Sequence, residues 1–141
     1  MAISKQDRFT QTDRKQQIYS DFLTDLNPHP VSGDIVRFVN ENAVIRSIKN
    51  LLQTNTGERL YQPKIGSDLT KLLFEPMNSA TAETISTAVS STIANYEPRA
   101  RVIDIKVTPL YEDNAYNVSI VFMVINKQDP VSFNVTLTRV R

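Results

Sequence analysis

Few of the side chains that carry out nucleophilic or metal chemistry occur in this sequence of 141 residues. It contains no Cys, which excludes disulfides, thiolate nucleophiles, iron–sulfur clusters and cysteine-based zinc sites. The one His, His29, lies between Pro28 and Pro30, in a rigid and exposed type of segment that suits a general base poorly. The three Gly are spaced too widely to form a dinucleotide or phosphate-binding loop. The composition therefore predicts neither a metal nor a cofactor.

Carboxylates remain as candidates for catalysis, because two of them at a suitable separation can hydrolyse a glycosidic bond. One hypothesis is therefore a lysozyme-like cell-wall glycosidase that uses Glu97 and a second carboxylate. The four carboxylates with the least obvious structural roles are Glu58, Glu75, Glu97 and Asp104. Structural explanations are available, since Glu75 and Glu97 each precede a Pro that ends a helix.

The charge balance disfavours binding to large anionic surfaces. Sixteen Lys and Arg oppose fifteen Asp and Glu, and the net charge of +1 is spread along the chain. No apolar run approaches the roughly 18 residues that a membrane span needs, and the N-terminus has no apolar signal core. We therefore expect a soluble protein made in the cytosol, with no nucleic-acid or membrane partner.

The elements that position these side chains follow from the periodicity of the apolar residues. Residues 1–34 are polar and rich in turn formers, so we expect an N-terminal docking arm, followed by one α+β domain at 35–141. Apolar residues at helical spacing after Asn40, the expected N-cap, predict a helix that ends near 54–57. The pattern then predicts a short helix capped by Ser67 and a long helix at 79–96.

Beyond Pro98 the apolar period changes from that of a helix to that of a strand. Alternation predicts strands at 101–108, 117–126 and 131–140, joined by short links that favour antiparallel pairing. The expected inward residues are Ile103, Ile105 and Val107, then Val118, Ile120, Phe122 and Val124, then Val131, Phe133, Val135 and Leu137. The predicted fold is an α+β domain in which two main helices cover one face of a three-stranded antiparallel meander.

The last predicted strand lacks the devices that usually protect a sheet edge. Its outward side chains are uncharged, and it has no Gly or internal Pro. These outward residues are Ser132, Asn134, Thr136 and Thr138. Chain order in a meander puts the strand at an edge, where it would accept a strand from a partner, although periodicity alone equally allows central pairing.

Three stretches, taken together, resemble a known family. They are Ser47 to Arg59, with Thr54-Asn55-Thr56-Gly57-Glu58-Arg59 at its end, then Ile65-Gly66-Ser67-Asp68-Leu69, then Glu97-Pro98-Arg99. Their order and spacing are similar to those of the baseplate wedge and sheath-initiator family of contractile-tailed phages, which has relatives in type VI secretion baseplates. The resemblance covers about residues 40–140, and the length and polar arm are most similar to members from T-even-type phages.

The resemblance implies a non-catalytic structural subunit of the virion that is assembled in the host cytoplasm. Such a subunit lies at the top of the baseplate wedge and templates the first sheath ring by strand exchange or augmentation. Its partners would be other wedge subunits, the tail sheath protein and the tail tube. The resemblance also implies a partner-binding role for the Gly57-Glu58-Arg59 stretch and for the Glu97-Pro98-Arg99 turn. For that turn, the alternative interpretation is a helix stop with a local ion pair.

Two other functions stay open on the sequence. The first is the glycosidase described above. The second is a generic strand-augmentation adaptor that is unrelated to phage tails, since a fold alone does not define a function. The identity of the captured partners would separate the adaptor from a baseplate subunit.

Overall fold

The computed structural model describes residues 17–22, 28–125, 127 and 129–139. Its elements, in chain order, are β1 (Ser20–Phe22), β2 (Arg37–Val39), α1 (Glu41–Gln53), α2 (Leu69–Leu72), α3 (Ser79–Tyr96), β3 (Ala100–Leu110), β4 (Ala115–Val124) and β5 (Pro130–Thr138). The strands β3, β4 and β5 form an antiparallel sheet in that order. The predicted α+β fold, with helices on a C-terminal meander, is confirmed.

The core lies between the sheet and the helices. The inward side chains of β4 are fully buried, and they pack against apolar residues of α1 and α3 that recur at helical spacing. On the helical side these residues are Val44, Ile48, Leu52, Ile85, Val89 and Ile93. Burial of this one face explains why the helices form where the apolar period predicts them.

A β-bulge in β3 makes one sequence prediction wrong. The pairing between β3 and β4 shifts between Val102 and Asp104. Ile103, expected to point inward, is 53% exposed, while Val102 packs against the core in its place. Ile105 and Val107 keep the predicted orientation because the alternation resumes after the extra residue.

The two predicted helix caps had different outcomes: Asn40 is the N-cap residue of α1, as predicted, whereas the N-cap residue of α2 is Asp68 and not Ser67. The side chain of Asn40 makes no capping bond to α1 but accepts a hydrogen bond from the backbone N–H of Ile18 at 3.0 Å. Ser67 precedes α2 by two residues, and its hydroxyl donates to the carbonyl of Leu52 at 2.8 Å. Both polar side chains therefore join segments that are distant in the sequence.

The described part of the predicted arm pairs with the segment that precedes α1. Ser20 lies opposite Val39, and Phe22 lies opposite Arg37. Residues 1–16 and 23–27 of the predicted arm lie outside the described residues. The boundary between the arm and the wedge domain at 34/35 stays a prediction.

Candidate functional site

The Glu97-Pro98-Arg99 turn connects α3 to β3 and holds a buried carboxylate. Glu97 is 3% exposed, and Arg99 donates two hydrogen bonds to it, Nε to Oε1 at 2.6 Å and Nη2 to Oε2 at 2.8 Å. The hydroxyl of Ser47, on α1, donates to Oε2 at 2.5 Å. The guanidinium of Arg99 also lies over the ring of Tyr19, 5.4 Å from its centroid. This turn therefore joins α1, α3, β3 and the segment that carries β1.

The charge of Glu97 is stabilised inside the chain. Burial by itself raises the pKa of Glu97, but the hydrogen bonds from Arg99 and Ser47, with the positive charge of Arg99, outweigh it and hold the pKa below its usual value. Hydrogen bonding to Glu97 correspondingly raises the pKa of Arg99. At neutral pH the pair is thus an ion pair, with both Glu97 oxygens occupied.

The Gly57-Glu58-Arg59 stretch lies in a loop that follows α1. Glu58 closes the loop base by accepting hydrogen bonds from the backbone N–H and the side-chain amide of Asn55, at 2.9 and 2.8 Å. These bonds lower the pKa of Glu58. Gly57 has a φ of 97°, which favours Gly, and its N–H donates to the carbonyl of Pro63 at 2.8 Å.

The same loop is fixed at its far end by close backbone packing. A Cβ on Gly66 would lie 2.8 Å from the carbonyl oxygen of Thr54. The hydroxyl of Tyr96, at the end of α3, donates to the carbonyl of Lys64 at 2.6 Å. The tip is left in solvent, with Leu60 and Tyr61 92% and 98% exposed. Two adjacent apolar residues in a polar stretch are a signal that the sequence reasoning missed.

A small cavity brings the two predicted motifs together. It has a volume of about 340 Å³ and lies between β1, α1, the loop and the end of α3. Arg59 from the first motif lines it, as does Ser47, which is bonded to Glu97 of the second motif. The other lining residues are Asp21, Asn50, Leu51, Ile65 and Tyr96. We call this cavity, together with the adjoining Glu97-Pro98-Arg99 turn and Gly57-Glu58-Arg59 stretch, the motif junction.

The other predicted site residues lie on β5, at the edge of the sheet. The N–H of Arg139 donates to the carbonyl of Asn114, and no register shift interrupts the pairing of β4 with β5. Because bonding alternates along an antiparallel pair, odd-numbered residues of β5 bond to β4 and even-numbered residues point their backbone groups away. The residues whose backbone groups point away from β4, called the outward set, are therefore Ser132, Asn134, Thr136 and Thr138. All four also have exposed side chains. Pro130, which has no N–H, falls in the same outward set.

The opposite edge of the sheet is protected. Along β3 the chain carries the bulge at Ile103, the charged residues Asp104 and Lys106, and Pro109. Each of these features discourages an added strand. Among the described residues, β5 has no bulge and no charged side chain, and its one Pro, Pro130, is its first residue, so we call this edge of the sheet the open edge.

The family model for "Baseplate wedge protein gp25" matches residues 39–129, well over half of the chain. The chain belongs to the baseplate wedge protein gp25 family. It is 35% identical over 112 residues to the baseplate wedge protein gp25 of Enterobacteria phage T4, covering 77% of this chain and 84% of that one. It is therefore a structural component of the baseplate of a contractile tail, as the three sequence motifs indicated.

Two solved structures support the fold of this gp25-family chain. One, from Geobacter sulfurreducens and bearing the provisional name tail lysozyme, has a TM-score of 0.64 at 20% identity and covers 70% of this chain and 89% of its own. The other, in the anti-feeding prophage baseplate, has a TM-score of 0.60 at 17% identity and covers 87% of each chain. In the described part of the chain, no helix is both long and apolar enough to cross a membrane.

Proposed function

We propose that this wedge protein initiates the tail sheath by accepting a strand on the open edge of β5. The observation that carries the proposal is the row of outward backbone groups at Ser132, Asn134, Thr136 and Thr138. A strand beside them would gain main-chain hydrogen bonds without disturbing the pairing of β5 with β4. The tail sheath protein is the proposed donor, and the tail tube is a proposed neighbour.

The substitution Thr136→Pro tests this proposal. It removes an N–H that points away from β4, so the sheet should keep its own ladder while the added strand loses a bond and meets the proline ring. We expect capture of the tail sheath protein to fall at least about tenfold, equivalent to about 1.4 kcal/mol. Co-sedimentation with purified sheath protein measures the effect.

Thr136→Ala is the matched control, because it removes the same side chain but keeps the N–H. Asn134→Pro, at another outward position, repeats the test if Thr136→Pro unfolds the chain. Circular dichroism establishes that each variant folds. Sheath capture by folded proline variants at the level of Thr136→Ala would contradict the open edge as the docking site.

We also propose that the motif junction contacts neighbouring wedge subunits. Pro98 is exposed, and the side chain of Arg99 keeps 36% of its surface accessible while it holds Glu97. Arg59 and Gly57 are exposed on the adjoining loop. Glu97 and Glu58 would act indirectly here, because their carboxylates are bonded within the chain and shape the turn and the loop.

Two substitutions separate contact from folding at the motif junction. Arg99→Ala and Glu97→Gln both break the buried ion pair, but only Arg99→Ala removes the exposed part of the guanidinium. We expect Arg99→Ala to reduce incorporation into reconstituted wedges at least about fivefold more than Glu97→Gln does, which corresponds to about 1 kcal/mol. Equal incorporation of the two variants at matched stability would leave the turn with a folding role alone.

We infer, finally, that the protein is not an enzyme. A glycosidase acid needs a carboxyl group whose pKa is raised, whereas the pKa of Glu97 is lowered and its oxygens are occupied. The structure that bears the provisional lysozyme name is only 20% identical to this chain, so the likeness between them shows the fold alone. We expect the pure protein to leave peptidoglycan intact between about pH 4 and 8, the range for carboxylate catalysis. Turnover that is lost in Glu97→Gln would overturn this inference.

A further inference from the structure

A cleft lies beside the end of β5, between the strand and the helices. Residues 136–139 line a cavity of about 380 Å³, whereas the β4 residues paired with them do not, so this cavity lies on the free side of the strand. Its far wall comes from the end of α1, from α2 and from residues that follow these helices, and includes Gln53, Thr70 and Phe74. A strand added to β5 would point alternate side chains into this space.

A second cavity, of about 480 Å³, lies next to the first along the outer surface of α1. Gln53 lines both cavities. The ammonium of Lys49, from α1, lies 5.8 Å from the centroid of the Phe133 ring on β5, which places this part of α1 beside the strand. The other lining residues are Phe38, Asn42, Ile45, Arg46 and Asn50. The two cavities together are called the edge cleft below.

The charge of the edge cleft has one sign. Arg46, Lys49 and Arg139 line it, and none of the described Asp and Glu residues does. Each cation lies over an aromatic ring, an arrangement that positions the cation while leaving other donors available to a partner. The distances to the ring centroids are 5.2 Å for Arg46 over Phe38, 5.8 Å for Lys49 over Phe133 and 4.9 Å for Arg139 over Phe74.

We propose that the strand accepted by β5 is an acidic segment of a partner protein, with two carboxylates that pair with Lys49 and Arg139. This inference rests on the proposed function and specifies the chemistry of its partner. Lys49 lies over Phe133, so the two cations are about six residues apart along β5, roughly 20 Å. Two carboxylates six residues apart on the incoming strand lie on the same face of it, toward the helices. The side chains on its other face lie beside Asn134 and Thr136.

Charge disfavours the two occupants that this chain could itself supply. Residues 1–16 carry the cations Lys5, Arg8, Arg14 and Lys15 against Asp7 and Asp13, a net charge of +2. A second copy would bring its own β5, which has no carboxylate and ends beside Arg139. Like charges placed together in an interface are unfavourable, so an acidic strand from another protein is the complementary occupant.

Two synthetic peptides of ten residues, added to the full-length protein, test the proposal. Both alternate valine and threonine, and both have two charged residues six positions apart, glutamates in one and lysines in the other. We expect the glutamate peptide to bind at least about tenfold more tightly at low salt, with the preference shrinking as salt screens the charges. Fluorescence anisotropy of labelled peptides provides the affinities.

Charge reversal identifies the residues responsible. The double variant Lys49→Glu with Arg139→Glu should reverse the preference to the lysine peptide. Lys106→Glu, on the opposite edge of the sheet, changes the charge without touching the cleft and should keep the wild-type preference. Thr136→Pro should weaken both peptides, because both use the same backbone bonds.

The outcomes distinguish failure of this inference from failure of the proposed function. Equal binding of both peptides, lost in Thr136→Pro, would overturn the acidic occupant while leaving strand acceptance intact. No binding of either peptide, or binding that is indifferent to Thr136→Pro, would overturn both. Tighter binding of a peptide with the sequence of residues 1–16, or dimerisation that Thr136→Pro abolishes, would assign the cleft to this chain itself and overturn the proposal.

Discussion

Glu97 shows how one buried carboxylate can organise several elements. Its oxygens accept from Arg99 across the turn and from Ser47 on α1, fifty residues away in the sequence. The stacking of Arg99 on Tyr19 extends this network to the segment that carries β1. Glu97 is 3% exposed, so its negative charge would be costly without the hydrogen bonds and the positive charge that compensate it. The burial of Glu97 therefore depends on all members of this network.

The pH dependence of folding should report this ion pair. The pKa of Glu97 is lowered in the folded state, so its contribution is complete above the carboxyl pKa of the unfolded chain and is lost as the pH falls through the lower, folded value. Glu97→Gln should therefore lower the free energy of unfolding by about 1–3 kcal/mol at pH 7, and by less in acid. Urea denaturation at pH 7 and in acid measures both quantities.

Glu83→Gln is the matched control for this prediction. Glu83 lies on α3 and its side chain is exposed. Glu83→Gln therefore makes the same chemical change as Glu97→Gln, but at a carboxylate in solvent. We expect a change within about 0.5 kcal/mol at either pH. Equal stabilities of the Glu97 and Glu83 variants at pH 7 would show that the buried pair contributes little.

Helix starts show how tertiary contacts redirect a local signal. Asn78 is the N-cap of α3, and its side chain accepts a hydrogen bond from the N–H of Thr81 at 2.7 Å. The N-cap of α1 is also an Asn, Asn40, but its side chain accepts a hydrogen bond from the N–H of Ile18 instead of from its own helix. The sequence identified both helices, whereas the use of each Asn depends on whether another segment lies within reach.

A pair of Asn substitutions should separate these two uses. Asn78→Ala removes a cap, so we expect the free energy of unfolding to fall by about 1 kcal/mol, with Asn78→Asp keeping most of it. Asn40→Ala should instead expose the β1 segment, detected as faster hydrogen exchange at the backbone of Ile18. Slow exchange at Ile18 in the Asn40→Ala variant would contradict this assignment.

Periodicity predicted α1, α3, β4 and β5 because each buries one face against a single core. It failed at Ile103, where the alternating pattern is unbroken in the sequence but pairing with β4 accommodates an extra residue. It could place β5 at an edge only through chain order. The burial of Glu97 was likewise beyond local reasoning, since it depends on Ser47 and Tyr19, which the sequence does not link to it.

At the scale of the whole molecule, the two predicted surfaces lie on different elements. The motif junction is formed by β1, α1, the loop after α1 and the turn after α3, while the open edge belongs to β5. The sequence predicts the first because each of its motifs is a short continuous stretch of the chain. The cations of the edge cleft were missed because Lys49 and Arg139 are ninety positions apart and meet only through the packing of α1 beside β5.

The inequality of the two sheet edges has a consequence for polymerisation. A subunit with two receptive edges would stack with its own kind and form filaments without limit, whereas here the β3 edge is closed by its bulge, Lys106 and Pro109. With strand acceptance on β5 as proposed, the described sheet has a valency of one for strand addition. Under the proposed function it would seed a growing array in one direction, and we expect a concentrated solution of the pure protein not to elongate through the edges of this sheet.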